Sequence, residues 1–206
     1  MAVVEDHRVI AESLVAAINA QPDLHCVGTA ATVAAVPPLV AGQDPAVVVM
    51  DYQLPDGTGA EATRLLHESH PQVAVLLLTA HDALDVLAES MSAGCAAFLP
   101  KTVGLDELMR AIHTVAGGGT VFDPDMLAQV ANAGPSMMGR AAGLSPRERE
   151  VLELLTWGLT TREIASRLFV SVHTVRNHVR NITAKLGVGS KVEAVAVALR
   201  DGLVDG

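Results

Sequence analysis

The sequence predicts a doubly wound α/β domain with a five-stranded parallel sheet, followed by a small all-α domain of four helices. The first 120 residues alternate apolar runs with amphipathic stretches, which is typical of a parallel sheet covered by helices. The last 63 residues instead carry a series of helix-start signals. The charge is divided in the same way, because residues 1–143 contain 5 Lys and Arg against 16 Asp and Glu, whereas residues 144–206 contain 9 against 7. Two domains with different partners are therefore expected.

Five short apolar runs are predicted to form the strands of the sheet. Continuous runs such as Val47–Met50 suit strands that are buried on both faces. The first strand is expected to be short, since only about three residues of strand precede Glu5. The predicted strands are Ala2–Val4, Leu24–Gly28, Ala46–Met50, Val73–Leu78 and Ala96–Leu99.

Amphipathic stretches between these strands predict five helices, and a sixth short helix is expected after them at Asp123–Ala133. Pro37 and Pro38 interrupt the second stretch, where proline in a helix interior costs about 3 kcal/mol. Gly134–Gly143 is small and poor in apolar periodicity, which favours a linker. The predicted helices of the first domain are Arg8–Ala20, Val33–Ala41, Ala60–Ser69, Ala83–Ala93 and Leu105–Ala116.

The C-terminal 63 residues contain three capping boxes, in which a hydroxyl residue precedes a Glu by three positions. They begin at Ser145, Thr160 and Ser190, and Ser171 provides a fourth N-cap without the Glu. These signals predict helices at 146–156, 161–168, 172–186 and 191–202. Trp157 is expected to lie in the core of this domain. The chain is thus predicted to comprise domains at 1–120 and 144–206, joined by a linker with a short helix at 121–143.

Composition excludes several classes of protein. No apolar run approaches the roughly 20 residues that a membrane helix needs. The N-terminus lacks the basic and apolar regions of a signal peptide. Cys26 and Cys95 have no partner spacing for a metal, so two reduced structural thiols are expected. A cytoplasmic protein without membrane association is therefore expected.

Charged and polar residues stand at the predicted strand ends, where chemistry gathers in an open α/β sheet. Glu5 and Asp6 follow the first strand, Asp51 the third, Thr79 the fourth and Lys101 the fifth. Unit charges about 4 Å apart interact by roughly 4 kcal/mol at an effective dielectric of 20, so clustered carboxylates require a cation. Oxygen ligands suit Mg²⁺. Lys101 and Thr79 would complement a phosphoryl group on Asp51.

The predicted helix 172–186 has one apolar and one basic face. Its apolar stripe, spaced by three and four residues, predicts the buried side and consists of Val172, Val175, Val179, Ile182 and Leu186. The opposite side carries His173, Arg176, Asn177, Arg180 and Asn181. Arg and Asn pair with guanine and adenine edges in the major groove. From Arg162 to Lys191 the count is 6 basic residues to 1 acidic, which favours a DNA-reading surface.

Residues 1–116 resemble a two-component receiver domain, which implies a flavodoxin-like fold. The resemblance lies in Val4–His7, Met50–Gly57, Leu78–Ala80 and Phe98–Lys101. It implies that Asp51 is the phosphoacceptor and that Lys101 contacts the phosphoryl group. Asp6, Asp51 and the backbone carbonyl of Gln53 would bind Mg²⁺, and Glu5 would act through water. Thr79 and Phe98 would form the switch pair.

The last 63 residues resemble the LuxR-type helix-turn-helix domain of NarL/FixJ-class response regulators. The resemblance lies in Leu144–Leu152, Gly158–Leu159, Glu163–Ala165, Thr174–Val175, His178–Val179, Lys185–Val188 and Ser190–Ala194. It implies that 172–186 is the recognition helix, with Arg176, Asn177 and Arg180 at base edges or nearby phosphates. The residues implied to hold the DNA backbone are Arg162, Thr174, Lys185 and Lys191. The last helix is the expected dimer surface, through Val192, Val195 and Leu199.

Together the two resemblances imply a transcriptional regulator that a sensor histidine kinase controls by phosphorylating Asp51. Double-stranded DNA, the kinase, RNA polymerase and a second copy of the chain are the expected partners. In an alternative, the receiver is a dimerisation module that does not depend on phosphorylation. A phosphohydrolase using Asp51 as nucleophile is disfavoured, because Gln53 stands where such an enzyme generally needs a second carboxylate as general acid.

Overall fold

The computed structural model describes residues 1–80, 84–133 and 143–203. Its main sheet has five parallel strands in the order β2-β1-β3-β6-β7, and a small antiparallel hairpin, β4-β5, follows β3. The short first strand is confirmed, since it has three residues and yet lies inside the sheet between two neighbours. The strands are β1 Ala2–Val4, β2 Gly28–Ala30, β3 Val47–Asp51, β4 Gln53–Leu54, β5 Gly57–Thr58, β6 Ala74–Thr79 and β7 Ala97–Pro100.

Helices cover both faces of the sheet, so the predicted doubly wound fold is confirmed. The helices around the sheet are α1 Arg8–Asn19, α2 Val36–Gln43, α3 Gly59–Ser69, α4 Leu84–Ala93 and α5 Leu105–Ala116. Alternate residues of β3 point to opposite faces: Val48 and Met50 join the apolar cluster with α2, α3 and α4, while Val47 and Val49 join the cluster with α1 and α5.

Two predicted elements of this domain are wrong in position. The second strand begins only at Gly28, which pairs with Ala2 of β1, and before it the backbone N–H of Cys26 bonds the Asn19 side chain rather than a strand. The second helix is also later than predicted. Residues Val33–Ala35 form a 3₁₀ turn and α2 starts at Val36, so the two prolines fall in its first turn, where no intrahelical N–H is needed. Ala83 and residues 134–142 of the predicted linker lie outside the described residues.

The C-terminal domain consists of four helices around one apolar core, as predicted. They are α7 Pro146–Thr156, α8 Thr161–Arg167, α9 Val172–Leu186 and α10 Lys191–Arg200. The stripe on α9 is confirmed, since Val175, Ile182 and Leu186 are fully buried. Trp157 is not a core residue. It is 47% exposed, and the guanidinium of Arg167 lies 5.6 Å from its ring centroid.

The capping signals act as predicted at all four helices, with one difference. Ser145 and Thr160 form complete capping boxes, and Ser171 accepts a hydrogen bond from the backbone of its own helix. Ser190 caps α10 in the same way. The difference is that the Glu193 carboxylate accepts a hydrogen bond from the N–H of Gly189 rather than from that of Ser190, so the predicted capping box is not complete.

The two domains touch through α10 and through the connecting helix α6, Pro124–Ala133. Val192 and Ala196 of α10 are each 3% exposed and belong to the same apolar cluster as α4. Phe122 and Leu127 pack against that cluster from the connecting segment. None of the helices in the described ranges is long and apolar enough to span a membrane.

The core of the first domain provides a matched test of packing. Leu66 is fully buried on α3, whereas its neighbour Leu65 is 45% exposed. We expect Leu66→Ala to lower the free energy of unfolding by about 2–5 kcal/mol through lost burial and a residual cavity. Leu65→Ala removes the same atoms from the surface and should cost much less. Urea unfolding of both variants measures the difference, and equal losses would contradict this assignment of the core.

Candidate functional site

Carboxylates and one ammonium meet where β1, β3 and β7 end. Asp51, the last residue of β3, and Glu5, which follows β1, are 4% and 3% exposed. The Nζ of Lys101, which follows β7, lies 2.8 Å from Glu5 Oε2 and 2.7 Å from Asp51 Oδ2. Asp6 lies beside them and is more exposed. The structure therefore brings together the strand-end charges that the sequence singled out.

The surroundings shift the pKa values of Asp51 and Lys101. Burial is the largest influence on Asp51 and raises its pKa; the hydrogen bond from Lys101 opposes this, and the charge of Glu5 adds to it. Burial alone would lower the pKa of Lys101, but its hydrogen bonds to Asp51 and Glu5 outweigh this and raise the pKa. Lys101 thus stays protonated, while the neighbouring carboxylates still carry more negative charge than one ammonium balances.

His7 also belongs to this cluster, although sequence reasoning did not select it. Its Nδ1 lies 3.0 Å from Glu5 Oε1 and 2.8 Å from Asp6 Oδ1. Hydrogen bonding to Glu5 is the main cause of the raised pKa of His7, and the charge of Asp6 contributes. Glu5, Asp6, His7 and Asp51 each bring one potential ligand atom within 4.8 Å of the others. The position of His7 directly after Glu5 and Asp6 was the one sequence signal that could have identified it.

A pocket of about 340 Å³ opens over Asp51, and Asp6, Thr79 and Lys101 are among its lining residues. The loop after β3 forms another wall, and the backbone N–H of Gln53 donates to Asp51 Oδ1 at 3.2 Å. Gly59 closes this loop, since its N–H donates to the carbonyl of Tyr52. A Cβ on Gly59 would lie 2.7 Å from the carbonyl oxygen of Asp51, so a side chain there would displace the loop.

The predicted switch residues lie between this pocket and the domain contact. Thr79 ends β6, is 1% exposed, and accepts the backbone N–H of Lys101 on its carbonyl at 2.6 Å. Phe98 on β7 is 5% exposed and lies in the apolar cluster that contains Val192 of α10. A rearrangement of Phe98 would therefore change the packing beneath α10.

Tyr52 forms a second connection, which joins the pocket to α4, and sequence reasoning also missed this residue. Its hydroxyl donates to Glu89 Oε2 on α4 at 2.6 Å, and Arg64 of α3 lies 3.4 Å from the same carboxylate. Burial, followed by the hydrogen bond to Glu89, raises the pKa of Tyr52. The residue after Asp51 is thereby tied to α4.

The predicted DNA-reading face of α9 is accessible. His173, Arg176 and Arg180 are exposed, and Asn177 is half-buried. The N–H of Thr174 donates to the capping Ser171, and Arg162 is exposed in the first turn of α8. The predicted face thus combines exposed cations with residues that fix the start of the helix.

The lysines predicted to hold DNA phosphates are engaged within the chain. Lys185 Nζ lies 2.6 Å from Oε2 of Glu148, which is buried. Burial would raise the pKa of Glu148, but hydrogen bonds from Lys185 and Ser145 lower it overall. Lys191 Nζ donates to the carbonyl of Gly118 at 2.6 Å, and its removal from water lowers its pKa to about 8.

The reading face of α9 lies opposite the first domain. Arg176, Asn177 and Arg180 line a groove of about 820 Å³ whose other wall includes Asp44 and His67. The predicted DNA-binding face of α9 is therefore exposed to solvent, but it faces the first domain across this groove.

Comparisons with known proteins identify the family of each domain. The family described as response regulator receiver domain matches residues 1–113, and the luxR family of bacterial regulatory proteins matches residues 142–198. The DNA-binding transcriptional activator DevR/DosR of Mycobacterium tuberculosis is 34% identical over 199 residues, which cover 95% of this chain and 91% of that protein. The oxygen regulatory protein NreC of Staphylococcus carnosus is 34% identical over 98% of each chain.

Solved structures show the same relationship. The response regulator ChrA of a heme-sensing two-component system is 28% identical, with a TM-score of 0.52 over 98% of this chain and 97% of its own. The signal receiver domain of NarL from Mycobacterium tuberculosis is 29% identical, with a TM-score of 0.55 over 57% of this chain and 94% of its own. These families consist of transcription regulators rather than enzymes. The chain therefore belongs to the response regulators that join a receiver domain to a LuxR-type helix-turn-helix domain.

Proposed function

We propose that this chain is a cytoplasmic, DNA-binding transcriptional regulator that a sensor histidine kinase controls by phosphorylating Asp51. The observation that carries the proposal is the meeting of Asp51, Lys101, Glu5 and Asp6 at one sheet edge, in a chain that also carries the basic face of α9. The receiver occupies 1–120, the linker with its helix 121–143 and the DNA-binding domain 144–206.

The carboxylate cluster fits Mg²⁺, because its donors are mainly carboxylate oxygens and its negative charge exceeds what Lys101 balances. Asp6, Asp51 and the backbone carbonyl of Gln53 would hold the ion, with Glu5 acting through water. When bound, Mg²⁺ offsets the negative charge of an incoming phosphoryl group.

Phosphoryl transfer to Asp51 uses groups that are already in place. A carboxylate oxygen of Asp51 attacks phosphorus as the bond from phosphorus to the phosphohistidine nitrogen breaks. The Lys101 ammonium, now 2.7 Å from Asp51 Oδ2, then contacts the new phosphoryl oxygens. Thr79 lines the same pocket and offers them its hydroxyl. The acyl phosphate therefore replaces the contact between Asp51 and Lys101.

Helix α9 binds DNA after the two domains separate. Arg176, Asn177 and Arg180 would then face base edges or nearby phosphates, while Arg162, Thr174, Lys185 and Lys191 hold the DNA backbone. A homodimer places two such helices on paired half-sites. Bound beside a promoter, the dimer would act on RNA polymerase.

The Mg²⁺ site can be tested by thermal unfolding without a phosphodonor. A cation that binds only the folded receiver stabilises it by mass action, so we expect Mg²⁺ to raise the unfolding temperature of the wild type by several degrees. Asp6→Asn should remove most of this rise. Asp106→Asn, which neutralises an exposed carboxylate outside the cluster, should keep it. An equal response of both variants at matched ionic strength would place the binding elsewhere.

Asp51→Ala should abolish labelling of the full chain by radioactive acetyl phosphate in Mg²⁺, because it removes the nucleophile. Gel autoradiography measures the label, and a product that is stable in acid but labile in base would identify an acyl phosphate. Asp106→Ala serves as the control and should label as the wild type does. Persistent labelling of Asp51→Ala would show that Asp51 is not the phosphoacceptor.

Arg176→Ala should weaken the binding of the phosphorylated protein to a selected genomic fragment by about 1–3 kcal/mol, if Arg176 reads a guanine. Fluorescence anisotropy at fixed salt gives the two dissociation constants. Arg110→Ala removes an equal charge from the exposed surface of the receiver and is the matched control. Equal affinities for Arg176→Ala and wild type would assign Arg176 to the rim of the interface.

A further inference from the structure

We propose that the groove between α9 and the receiver binds a small anion that carries several phosphate groups. The bound anion contacts both domains, so it holds them together and competes with DNA for Arg176 and Arg180. Nucleoside polyphosphates and inorganic polyphosphates share the required chemistry. The competition with DNA rests on the proposed function, whereas the binding of the anion does not.

The α9 wall of this groove carries positive charge with little acidic compensation. Arg176 and Arg180 line the groove and are exposed, and neither guanidinium forms an ion pair with a carboxylate of the described residues. Of the described residues that line the groove, Asp44 supplies the one carboxylate, and it lies on the opposite wall. The groove is therefore cationic in a chain whose formal net charge is −9. A cleft lined by charge of one sign concentrates ions of the opposite sign.

Lys191 adds a half-buried cation to the same groove. Its ammonium donates to the carbonyl of Gly118 at 2.6 Å, which uses one of its three N–H donors. Loss of hydration lowers the pKa of Lys191 to about 8, because a neutral carbonyl does not replace the water around a charged group. A phosphate oxygen in the groove would provide the opposite charge. Lys191 is therefore a group that an anion would stabilise in its protonated form.

The receiver wall of the groove has a different chemical character. Ala46, Pro71 and Ala116 give it an exposed apolar surface, and Gln72 adds an exposed amide. Ligand sites combine a mainly apolar lining with a few polar groups and have volumes of roughly 300–1,000 Å³. The groove, at about 820 Å³, lies within this range. Its two walls suit phosphate groups against α9 and an organic body, where the anion has one, against the receiver.

The anion and a DNA duplex would use the same side chains of α9. Ala46 and Ala74 line the groove where β3 and β6 begin, whereas Asp51 ends β3, so the groove lies at the sheet edge opposite the phosphorylation pocket. An anion that needs both walls binds only when the domains are close, and it shifts the population towards that arrangement by its differential affinity. It therefore lowers the apparent affinity for DNA without contacting Asp51.

Isothermal titration calorimetry of the full, unphosphorylated chain with inorganic tripolyphosphate tests the site directly. The titration is run at fixed ionic strength without Mg²⁺, DNA or a phosphodonor, and we expect saturable binding at one site. Gln72→Glu adds a carboxylate to the receiver wall, and Arg180→Gln removes a cation from the α9 wall. Each should weaken binding by about tenfold or more, since each removes or opposes a charge-assisted contact to phosphate.

Matched controls make the same chemical changes outside the groove. Gln129→Glu on α6 and Arg110→Gln on α5 alter exposed residues that are not among those lining it, and both variants should bind as the wild type does. A parallel titration with ATP distinguishes the two sources of the phosphate groups. Tighter binding of ATP would show that the receiver wall contacts the nucleoside, and equal binding would assign recognition to the phosphates alone; both agree with the proposal.

Tripolyphosphate should also displace the chain from the selected genomic fragment, at a concentration about tenfold lower for the wild type than for Gln72→Glu. A lack of saturable binding by the wild type would overturn the proposal. Equal affinities of the wild type and Gln72→Glu would also overturn it, because the anion would then bind α9 alone. Failure of the proposed function is a different result: the phosphorylated wild type would show no selective DNA binding, whereas the calorimetry involves no DNA.

Discussion

The ammonium of Lys101 lies between two buried carboxylates and ties together three strands that are distant in the sequence. Glu5 and Lys101 are 96 positions apart, yet a parallel sheet places the ends of β1, β3 and β7 at one edge. The single ammonium leaves an excess of negative charge, and burial raises the pKa of Asp51 despite the ion pair. A bound cation would offset this excess, and a phosphoryl group on Asp51 would add further negative charge that the cation and Lys101 would balance. The sheet edge therefore provides a site whose state can change, rather than a static ion pair.

The same sheet determines which side of the receiver can transmit that change. Side chains alternate along each strand, so the face covered by α2, α3 and α4 is separate from the face covered by α1 and α5. Phe98 lies on the first face, and α10 packs on that face as well. Thr79 ends the strand beside β7 and is paired with it in register at Pro100. Thr79 at the pocket thus lies on the strand next to β7, which carries Phe98 into the cluster that contains Val192.

Strand-end charges, helix caps and the stripe of α9 could be predicted from the sequence because each depends on local periodicity or on position within one element. The contacts of α10 could not, since an apolar stripe with Val192, Val195 and Leu199 looks the same whether it packs on a receiver or on a second helix. The tie of Tyr52 to Glu89 and the close approach of Gly59 to Asp51 likewise depend on tertiary placement. The prediction that Trp157 lies in the core is wrong, since Trp157 lies at a helix end beneath Arg167, and that placement too depends on tertiary structure. The second strand starts later than predicted because the Asn19 side chain bonds the backbone N–H of Cys26, a contact that the sequence pattern does not indicate.

The contact between α10 and the receiver combines two polar contacts with one apolar insertion. Lys191 faces a neutral carbonyl and loses hydration, which lowers its pKa to about 8, whereas a DNA phosphate would offer it an opposite charge. Glu193 already caps its own helix through Gly189, so the bond from Ser92 adds only one contact to it. Val192 adds the apolar part of the contact. The lowered pKa of Lys191 indicates that its single bond to Gly118 offsets only part of the cost of removing the ammonium from water, so the polar part of this contact is held at a cost that the apolar part offsets.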